Sequence, residues 1–554
     1  MYGSLTDFIN ALDQAGELQR ISAKVSPFLE ITQITDRVSK SPAPRTSKSA
    51  MQFDPRHGHL GGKALLFENV EGSSIPLLIN AFGSYHRMEM ALDCTSGGFE
   101  ALAEKVGKLV KPEPPTGLIS KLKKIPELAK VASYPPKVVP TGICQQVVKT
   151  GDNVDLFELP TIKCWPLDGD PSAFGAEESL QEPGKGRYIT FGGVHTIHPD
   201  DAGKPANESR TSRNVGMYRA QVLDQRRAAM HWHIHHDGAR HWRAWKQCGK
   251  PMPAAIALGG ESVLPYSATA PLPPGISELL LAGFLNDGGI EMVKCQTIDL
   301  HVPANSEIVI EGLVSTECGP IGYDPRKDDA HDTSISLGPG AHYEGPFGDH
   351  TGFYSLPDRY PLFEVTAITH RTNPIYPTTI VGLPPQEDYY MGKATERIFL
   401  PLLKMLIPDI IDYDLPMFGA FHNCAFVKIR KEYPLQARRV MHAIWGAGQM
   451  AWTKSIIVVD EHVNVHDHEE VLFYWCANCD PKRDIELVNG PLDILDHAAP
   501  QLGAGGKIGY DATAKIPGEE VNGHNIREWP TLIQMDKDTK QLVEKRWKEY
   551  GFTK

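Results

Sequence analysis
Two carboxylates stand five residues apart in the run Glu344-Gly345-Pro346-Phe347-Gly348-Asp349-His350-Thr351-Gly352. Proline fixes its own backbone and glycine frees it, so three glycines and one proline around an acid pair describe a loop that aims side chains. A rigid turn of this kind can present one carboxyl group as an acid and the other as a base, provided their surroundings separate the two pKa values. Surface loops also collect Gly, Pro and Asp, and a solvated turn is the competing reading.

Upstream, Asn214-Val215-Gly216-Met217-Tyr218-Arg219 offers a hard amide oxygen and a guanidinium fork suited to a carboxylate or phosphate. On a strand, Asn214 and Arg219 fall on opposite faces unless the strand bulges, so they would serve different tasks. A surface ion pair is the plain alternative for Arg219. His231, His233, His235 and His236 follow within six residues, and on a strand the first three share a face. Such a run could hold zinc, but catalytic zinc sites draw ligands from separated elements. The expectation is one ligand, with the other imidazoles packed or solvated. Cys476 and Cys479 form a single CxxC with no second pair, and read as structural thiols.

The elements that must position these groups follow from periodicity. Leu5, Phe8, Ile9 and Leu12 mark an amphipathic first helix, followed by a strand at Leu18–Ile21, a helix near Ile31–Val38 and short buried strands at 64–67 and 76–81. Residues 39–59 read as an exposed loop, and the Lys- and Pro-rich stretch 106–140 as a linker with a solvated helix face. Strand-rich runs occupy 188–197, 215–222, 229–235, 254–258, 290–302 and 307–314, with one helix at 275–285, which suggests a barrel-like β domain. A strand at 362–370, a long helix at 393–411, a strand at 425–429, a helix at 435–450, a strand at 456–459 and a polar tail helix at 536–550 describe an α/β C-terminal region. The expected layout is an α/β (α+β) chain: a small N-terminal α/β domain over 1–135, a β-barrel-like domain over 136–355, and a C-terminal α/β domain over 356–554.

Composition bounds the function. A chain of 554 residues exceeds one core, and 41% hydrophobic with 22% charged residues is ordinary for a globular protein. A net charge of -12 argues against a general nucleic-acid or anionic-membrane binder. No apolar run reaches the roughly 20 residues of a membrane span. Nine scattered cysteines make no disulfide framework, and a reducing cytoplasm is the expected compartment.

Taken in order, Asn214-Val-Gly-Met-Tyr-Arg219, Met230-His-Trp-His-Ile-His235, Ser277-Glu278, Glu307-Ile-Val-Ile-Glu311-Gly312 and Glu344-Gly-Pro-Phe-Gly-Asp349-His-Thr-Gly resemble the UbiD family of prenylated-FMN-dependent (de)carboxylases. Gly505-Gly-Lys-Ile-Gly-Tyr-Asp-Ala-Thr513 and the opening Phe8 to Arg20 are similar to it as well, so the likeness spans nearly the whole chain. The resemblance implies that Asn214, His235 and Glu278 hold Mn²⁺ or Mg²⁺, with K⁺ nearby, to anchor the phosphate of prenylated FMN. Met217, Arg219 and Lys454 fall at cofactor-contacting positions, although a solvated strand-edge lysine is the alternative for Lys454. It further implies catalytic roles for Arg219, Glu344 and Asp349. Loss of CO2 from an aryl acid leaves an in-plane carbanion that no side chain can delocalise, so an electron sink must come from a cofactor. Arg219 would orient the carboxylate, Glu344 would tune Arg219 and relay protons, and Asp349 would protonate the ring carbon if a dry pocket raises its pKa.

The family likeness implies an aromatic carboxylic acid and CO2 as reactants, of the hydroxybenzoate or hydroxynaphthoate type. Asp349 points that way, since acrylic-acid members carry Glu there. A carboxylase or a heteroaromatic or acrylic acid decarboxylase of the same family remains open. A flavin-free metal-dependent hydrolase is the reading from a different class, and a non-catalytic subunit would need the Arg219, Glu344 or Asp349 positions lost. A flavin prenyltransferase would supply the cofactor, and a homo-oligomer, dimer or hexamer, is implied. One departure from the family stands out: Cys318 to Tyr343 intervene before the acid loop, and this insertion is expected to border the active-site entrance or a subunit contact.

Overall fold
The computed structural model describes residues 1–110, 131–174, 183–204, 210–233, 235–272, 275–318, 339–521 and 524–553. The first helix, α1 (Leu5–Gln14), is capped by the Ser4 hydroxyl and buries Leu5, Phe8, Ile9 and Leu12, the stripe its spacing dictates. Strands β1 (Leu18–Ile21), β2 (Ala64–Phe67) and β3 (Leu77–Ile79) form a small sheet in the order β1-β2-β3, with α2 (Glu30–Ser39) between β1 and β2. The sheet's fourth strand, Tyr376–Pro377, comes from far along the chain. Helices α3 (Tyr85–Ala91) and α4 (Gly98–Val110) complete this region.

Part of the stretch expected as an exposed loop is pinned down instead. Ala50 and Phe53 are buried in a short helix, and the Asp54 carboxylate accepts hydrogen bonds from the hydroxyls of Tyr85 (2.7 Å) and Tyr389 (2.8 Å). Of the linker expected at 106–140, residues to Val110 are helical and 111–130 lie outside the described residues.

The middle of the chain closes a six-stranded antiparallel barrel. Its strands are β4 (Tyr188–Thr196), β5 (Asn214–Val222), β6 (Arg227–His231), β7 (Met252–Leu258), β8 (Ile308–Val314) and, after β9 (Ala341–Glu344), β10 (Asp358–His370). The order is β8-β7-β4-β5-β6-β10, and β10 returns to pair with β8. The ladder shifts register at Glu311/Gly312, where a Cβ on Gly312 would lie 2.2 Å from the Glu364 carbonyl. Because β10 runs to His370, the barrel extends past the boundary expected at residue 355. Two helices flank it, α5 (Asp237–Gln247) and α6 (Glu278–Leu285), the latter capped by Ser277.

Two strand expectations fail for identifiable reasons. The run 229–235 leaves the sheet after His231, because His236 already caps α5, so the even alternation of histidines ends there. The run 290–302 breaks into two short strands, Glu291–Lys294 and His301–Pro303, which pair with each other.

The long helix expected at 393–411 is two helices, α7 (Glu387–Ile398) and α8 (Leu400–Leu406), followed by strand β11 (Ile410–Asp414). Pro401 cannot donate to the turn before it, so the helix restarts there. Strands β12 (Cys424–Ile429), β13 (Ser455–Asp460), β14 (Ile485–Pro491) and β15 (Ala504–Asp511) join β11 in a sheet of order β11-β12-β13-β15-β14. Period-two alternation sorts its side chains. Ala425, Val427, Ile456 and Val458 pack on α9 (Gln436–Trp445), while Phe426, Ile457 and Val459 pack with Val471 and Tyr474 of α10 (His468–Asn478). The tail helix α11 (Lys537–Arg546) buries no residue. Among the described residues, no helix is long and apolar enough to cross a membrane.

Candidate active site
The acid loop bridges β9 and β10, and neighbouring strands fix its backbone. Gln221 of β5 accepts the Gly345 N–H at 2.9 Å. The buried Asp168 carboxylate accepts N–H bonds from Gly348 (2.8 Å), Trp165 (2.8 Å) and Cys164 (3.1 Å). Burial, countered only in part by those bonds, pushes Asp168 up to about 7. Gly348 has no room for a side chain, since a Cβ there would lie 2.1 Å from the Trp165 ring.

Into this frame β5 sends Arg219. Its Nε and Nη2 donate to the two Glu344 carboxylate oxygens at 2.7 and 3.1 Å, and Nη1 donates to Asp349 Oδ2 at 2.5 Å. Nη2 also reaches Ser355 Oγ at 3.1 Å, and the guanidinium lies over the Phe347 ring at 4.4 Å. Burial works to raise Glu344, but Arg219 and His231 overcome it and hold the carboxyl at about 2. Asp349 is likewise buried, yet His350 and Arg219 hold it well below the usual carboxylate range. The expected raised pKa of Asp349 is therefore not found with Arg219 in contact: the pocket is dry, but two cations face the acid. His350 is lifted to about 9, because Asp349, Asp493 and Asp388 outweigh the burial that would lower it.

The histidine run divides its work differently from the sequence expectation. His231 lies directly opposite Arg219 in the β5–β6 ladder, and its Nδ1 is 2.9 Å from Glu344 Oε2. Burial and Arg219 keep it neutral. The rings of His233 and His236 stack at 4.6 Å, and His236 also stacks on Tyr218 at 5.0 Å. His235 is exposed and faces Trp452 at 5.8 Å. Among the described residues no histidine-lined zinc centre results, which leaves the flavin-free hydrolase unsupported. Among the described residues, the one group of three His, Cys, Asp or Glu side chains with ligand atoms within 4.8 Å of one another is Glu396, Asp414 and His466.

At the other end of β5, Glu278 meets the strand backbone next to Asn214. Glu278 Oε2 accepts the Val215 N–H at 2.8 Å, and the buried Asn214 amide lies 3.4 Å from Thr196 Oγ1. Burial pushes Glu278 up to about 7, and no cation pairs with it among the described residues. A buried carboxylate bonded to the backbone next to an asparagine, with no basic partner among the described residues, fits a hard divalent cation. No hydrogen bond or ring contact among the described residues brings His235 to this pair. Met217 is half-buried against the first hydrophobic core, with its N–H donated to the Ala268 carbonyl at 3.0 Å. Lys454 lies just before β13, and its Nζ is 2.8 Å from Asp496.

The sequence matches three domain families along this whole framework. They are the N-terminal, Rift-related and C-terminal domains of 3-octaprenyl-4-hydroxybenzoate carboxy-lyase (UbiD), over residues 9–106, 137–384 and 389–512. The chain belongs to the UbiD carboxy-lyase family. As a member it is an enzyme of the carboxy-lyase class. It is 45% identical to an uncharacterised protein of Aquifex aeolicus over 99% of both chains. It is 40% identical to one of Archaeoglobus fulgidus, over 99% of this chain and 98% of that one. Among solved structures it is similar to the vanillic acid decarboxylase of Sedimentibacter hydroxybenzoicus in closed form, with TM-score 0.75, 24% identity and full coverage of both chains. It is also similar to the UbiD-class enzyme HmfF of Pelotomaculum thermopropionicum in complex with FMN, with TM-score 0.66, 25% identity and coverage of 95% and 97%.

Four supporting residues of this UbiD-family site had no such role assigned from the sequence: His231, named only within the histidine run, Gln221, Asp168 and His350. For the first two a signal existed. Pairing the strands about the turn at Asp224–Arg226 sets His231 opposite Arg219, and alternation puts Gln221 on Arg219's face. His350 lay inside the motif with no assigned task. Asp168 gave no signal.

Proposed function
We propose that the enzyme catalyses reversible, non-oxidative decarboxylation of an aromatic carboxylic acid of the hydroxybenzoate or hydroxynaphthoate type with prenylated FMN. The observation that carries this reading is Arg219, largely shielded from solvent and gripped by Glu344 and Asp349 on a loop whose backbone is fixed. A structurally similar enzyme, HmfF, binds prenylated FMN. Asn214 and Glu278 would hold a divalent ion, Mn²⁺ or Mg²⁺, for the cofactor phosphate, joined by His235 once its ring turns from Trp452; K⁺, Met217 and Lys454 complete the proposed set. When bound, the modified flavin supplies the electron sink that an aryl carbanion requires.

The chain's own residues do the rest. Glu344 grips Arg219 through two hydrogen bonds and Asp349 through one, so an incoming substrate carboxylate displaces Asp349 more readily. The exchange orients the substrate and removes one of the two cations that hold Asp349 ionised; protonated His350 remains beside it and can pass its proton across their contact. In its dry surroundings Asp349 then takes up a proton and can deliver it to the ring carbon after CO2 leaves. Glu344, kept anionic and fixed by His231, holds Arg219 throughout. Exposed Leu532, Ile533 and Met535 near the C-terminus suit contact with a second copy, in keeping with a homo-oligomer. The insertion expected to shape the entrance lies, over 319–338, outside the described residues.

The test is expression together with a flavin prenyltransferase, with Mn²⁺ and K⁺ supplied, followed by absorption spectroscopy and mass analysis of the released cofactor. Prenylated FMN is expected in the wild type and absent from Glu278→Ala, with ring-proton exchange on a panel of aryl acids in the wild type only. A colourless protein that still binds metal would overturn the reading.

A further inference from the structure
His350 has a second neighbour that the reaction chemistry leaves unused. Its Nδ1 lies 3.2 Å from Asp349 Oδ1, which also accepts the His350 backbone N–H at 2.8 Å. Its Nε2 is buried with no hydrogen-bond partner and points at Asp493 Oδ2, 3.8 Å away. Asp493 follows β14, well outside the barrel, and its side chain is fixed by the Leu495 N–H at 2.9 Å. The same Oδ2 lies 3.7 Å from His422 Nε2. Four residues further on, His497 packs on Phe353 at 4.1 Å, just past the acid loop.

The turn that carries His422 is strained. Ala420 and Phe421 both adopt left-handed backbone, at φ 41° and 69°, a conformation that costs non-glycine residues energy and persists where packing enforces it. The strain sets the Phe421 ring against His350 at 5.4 Å. It is accommodated by Gly392, where a Cβ would meet the Phe421 ring at 2.3 Å. Two separate segments beyond the barrel thus converge on His350, which touches the Asp349 carboxylate oxygen that Arg219 does not.

We propose that Asp493, together with His422 and Phe421, is a clamp through which the C-terminal region positions His350 and thereby the proton-donating Asp349. Both Asp493 contacts stand just beyond hydrogen-bonding distance, so an approach of about 1 Å would convert them into direct hydrogen bonds. Asp493 and His422 are positioning residues in this scheme, since neither touches the reacting atoms. The ionisable groups facing His350 are Asp349, Asp388, Asp493, His422 and His233. The role in proton delivery rests on the decarboxylase reading, whereas the clamp itself does not.

Two measurements separate these. In the ligand-free full-length chain, hydrogen–deuterium exchange of the 345–353 peptide is expected to quicken roughly fivefold in Asp493→Asn, while β5 stays unchanged and Asp493→Glu restores protection. Unchanged exchange of that peptide overturns the clamp, whatever the enzyme's reaction. In the holoenzyme, Asp493→Asn is expected to lower kcat for ring-proton exchange about tenfold with KM within about twofold, a loss confined to proton transfer. Its basic limb should move about one pH unit down, because His350 loses an anion. A loosened peptide with unaltered kcat and pH profile would reduce the clamp to a structural contact and overturn its role. Absence of flavin and of ring-proton exchange in the wild type would instead defeat the decarboxylase reading, leaving deuterium uptake to decide the clamp.

Discussion

Arg219 makes four hydrogen bonds, two to Glu344, one to Asp349 and one to Ser355, out of the five N–H donors a guanidinium offers. A lysine could supply the charge but not this fork. Arg219→Lys is expected to cut kcat/KM roughly a hundredfold, measured as ring-proton exchange or CO2 release. Glu344 gives a second, independent signature. Its folded pKa of about 2 lies below the ordinary value near 4.5, so the stability it contributes is present above about 4.5 and is lost as pH falls toward about 2. The melting temperature of the wild type should therefore fall more steeply across that window than that of Glu344→Gln, and parallel curves would contradict the assignment. Arg219, Glu344 and Asp349 stood out in the sequence through their motifs, and their proposed roles came from the family resemblance those motifs carry. The ionised state of Asp349 could not be read there, because it depends on His350 and Arg219 being brought to it by folding. Asp168 was invisible for the same reason: it reaches Gly348 across 180 residues of chain.

At the scale of elements, the sequence read best where one face is buried. The stripe of α1 and the alternating strands β12 and β13 stand where their periodicity put them. It read worst where a single residue ends an element. Pro401 split one expected helix, and His236, as the cap of α5, cut short a strand that would have carried His233 and His235 on the face of His231. The acid loop is itself an element, and its shape depends on contacts that spacing does not reveal. With a Cβ at residue 348 only 2.1 Å from Trp165, whose indole N–H is bound to the Val381 carbonyl, neither ring nor backbone can yield freely. Gly348→Ala is expected to destabilise by ~1–3 kcal/mol, seen as a lower melting temperature, and to reduce turnover by shifting Asp349. A variant with wild-type melting and turnover would show that the loop is looser than its contacts imply.

At the scale of the molecule, β5 spans the two halves of the proposed chemistry: next to Asn214 its Val215 N–H donates to Glu278, and further along Arg219 reaches the acid loop. A single barrel strand can in this way fix the distance between the proposed cofactor anchor and the proposed catalytic acids. A net charge of -12 makes an anionic cofactor a poor guest unless a cation mediates, and the buried, cation-free Glu278 is where one would be felt. Binding that favours the folded state raises apparent stability by mass action, about 2.7 kcal/mol at a hundredfold excess over Kd. Addition of Mn²⁺ to the metal-stripped protein should therefore raise its melting temperature, and a chelator should reverse the rise. In Glu278→Ala the response should be absent, because the remaining amide of Asn214 and the exposed His235 cannot balance the charge of a dehydrated divalent ion. A variant that still responds to Mn²⁺ would place the ion elsewhere, and the cluster of Glu396, Asp414 and His466 would then be next to test. That cluster is a poor competitor on charge, since Lys393 Nζ already lies 2.8 Å from Glu396 and 2.6 Å from Asp414.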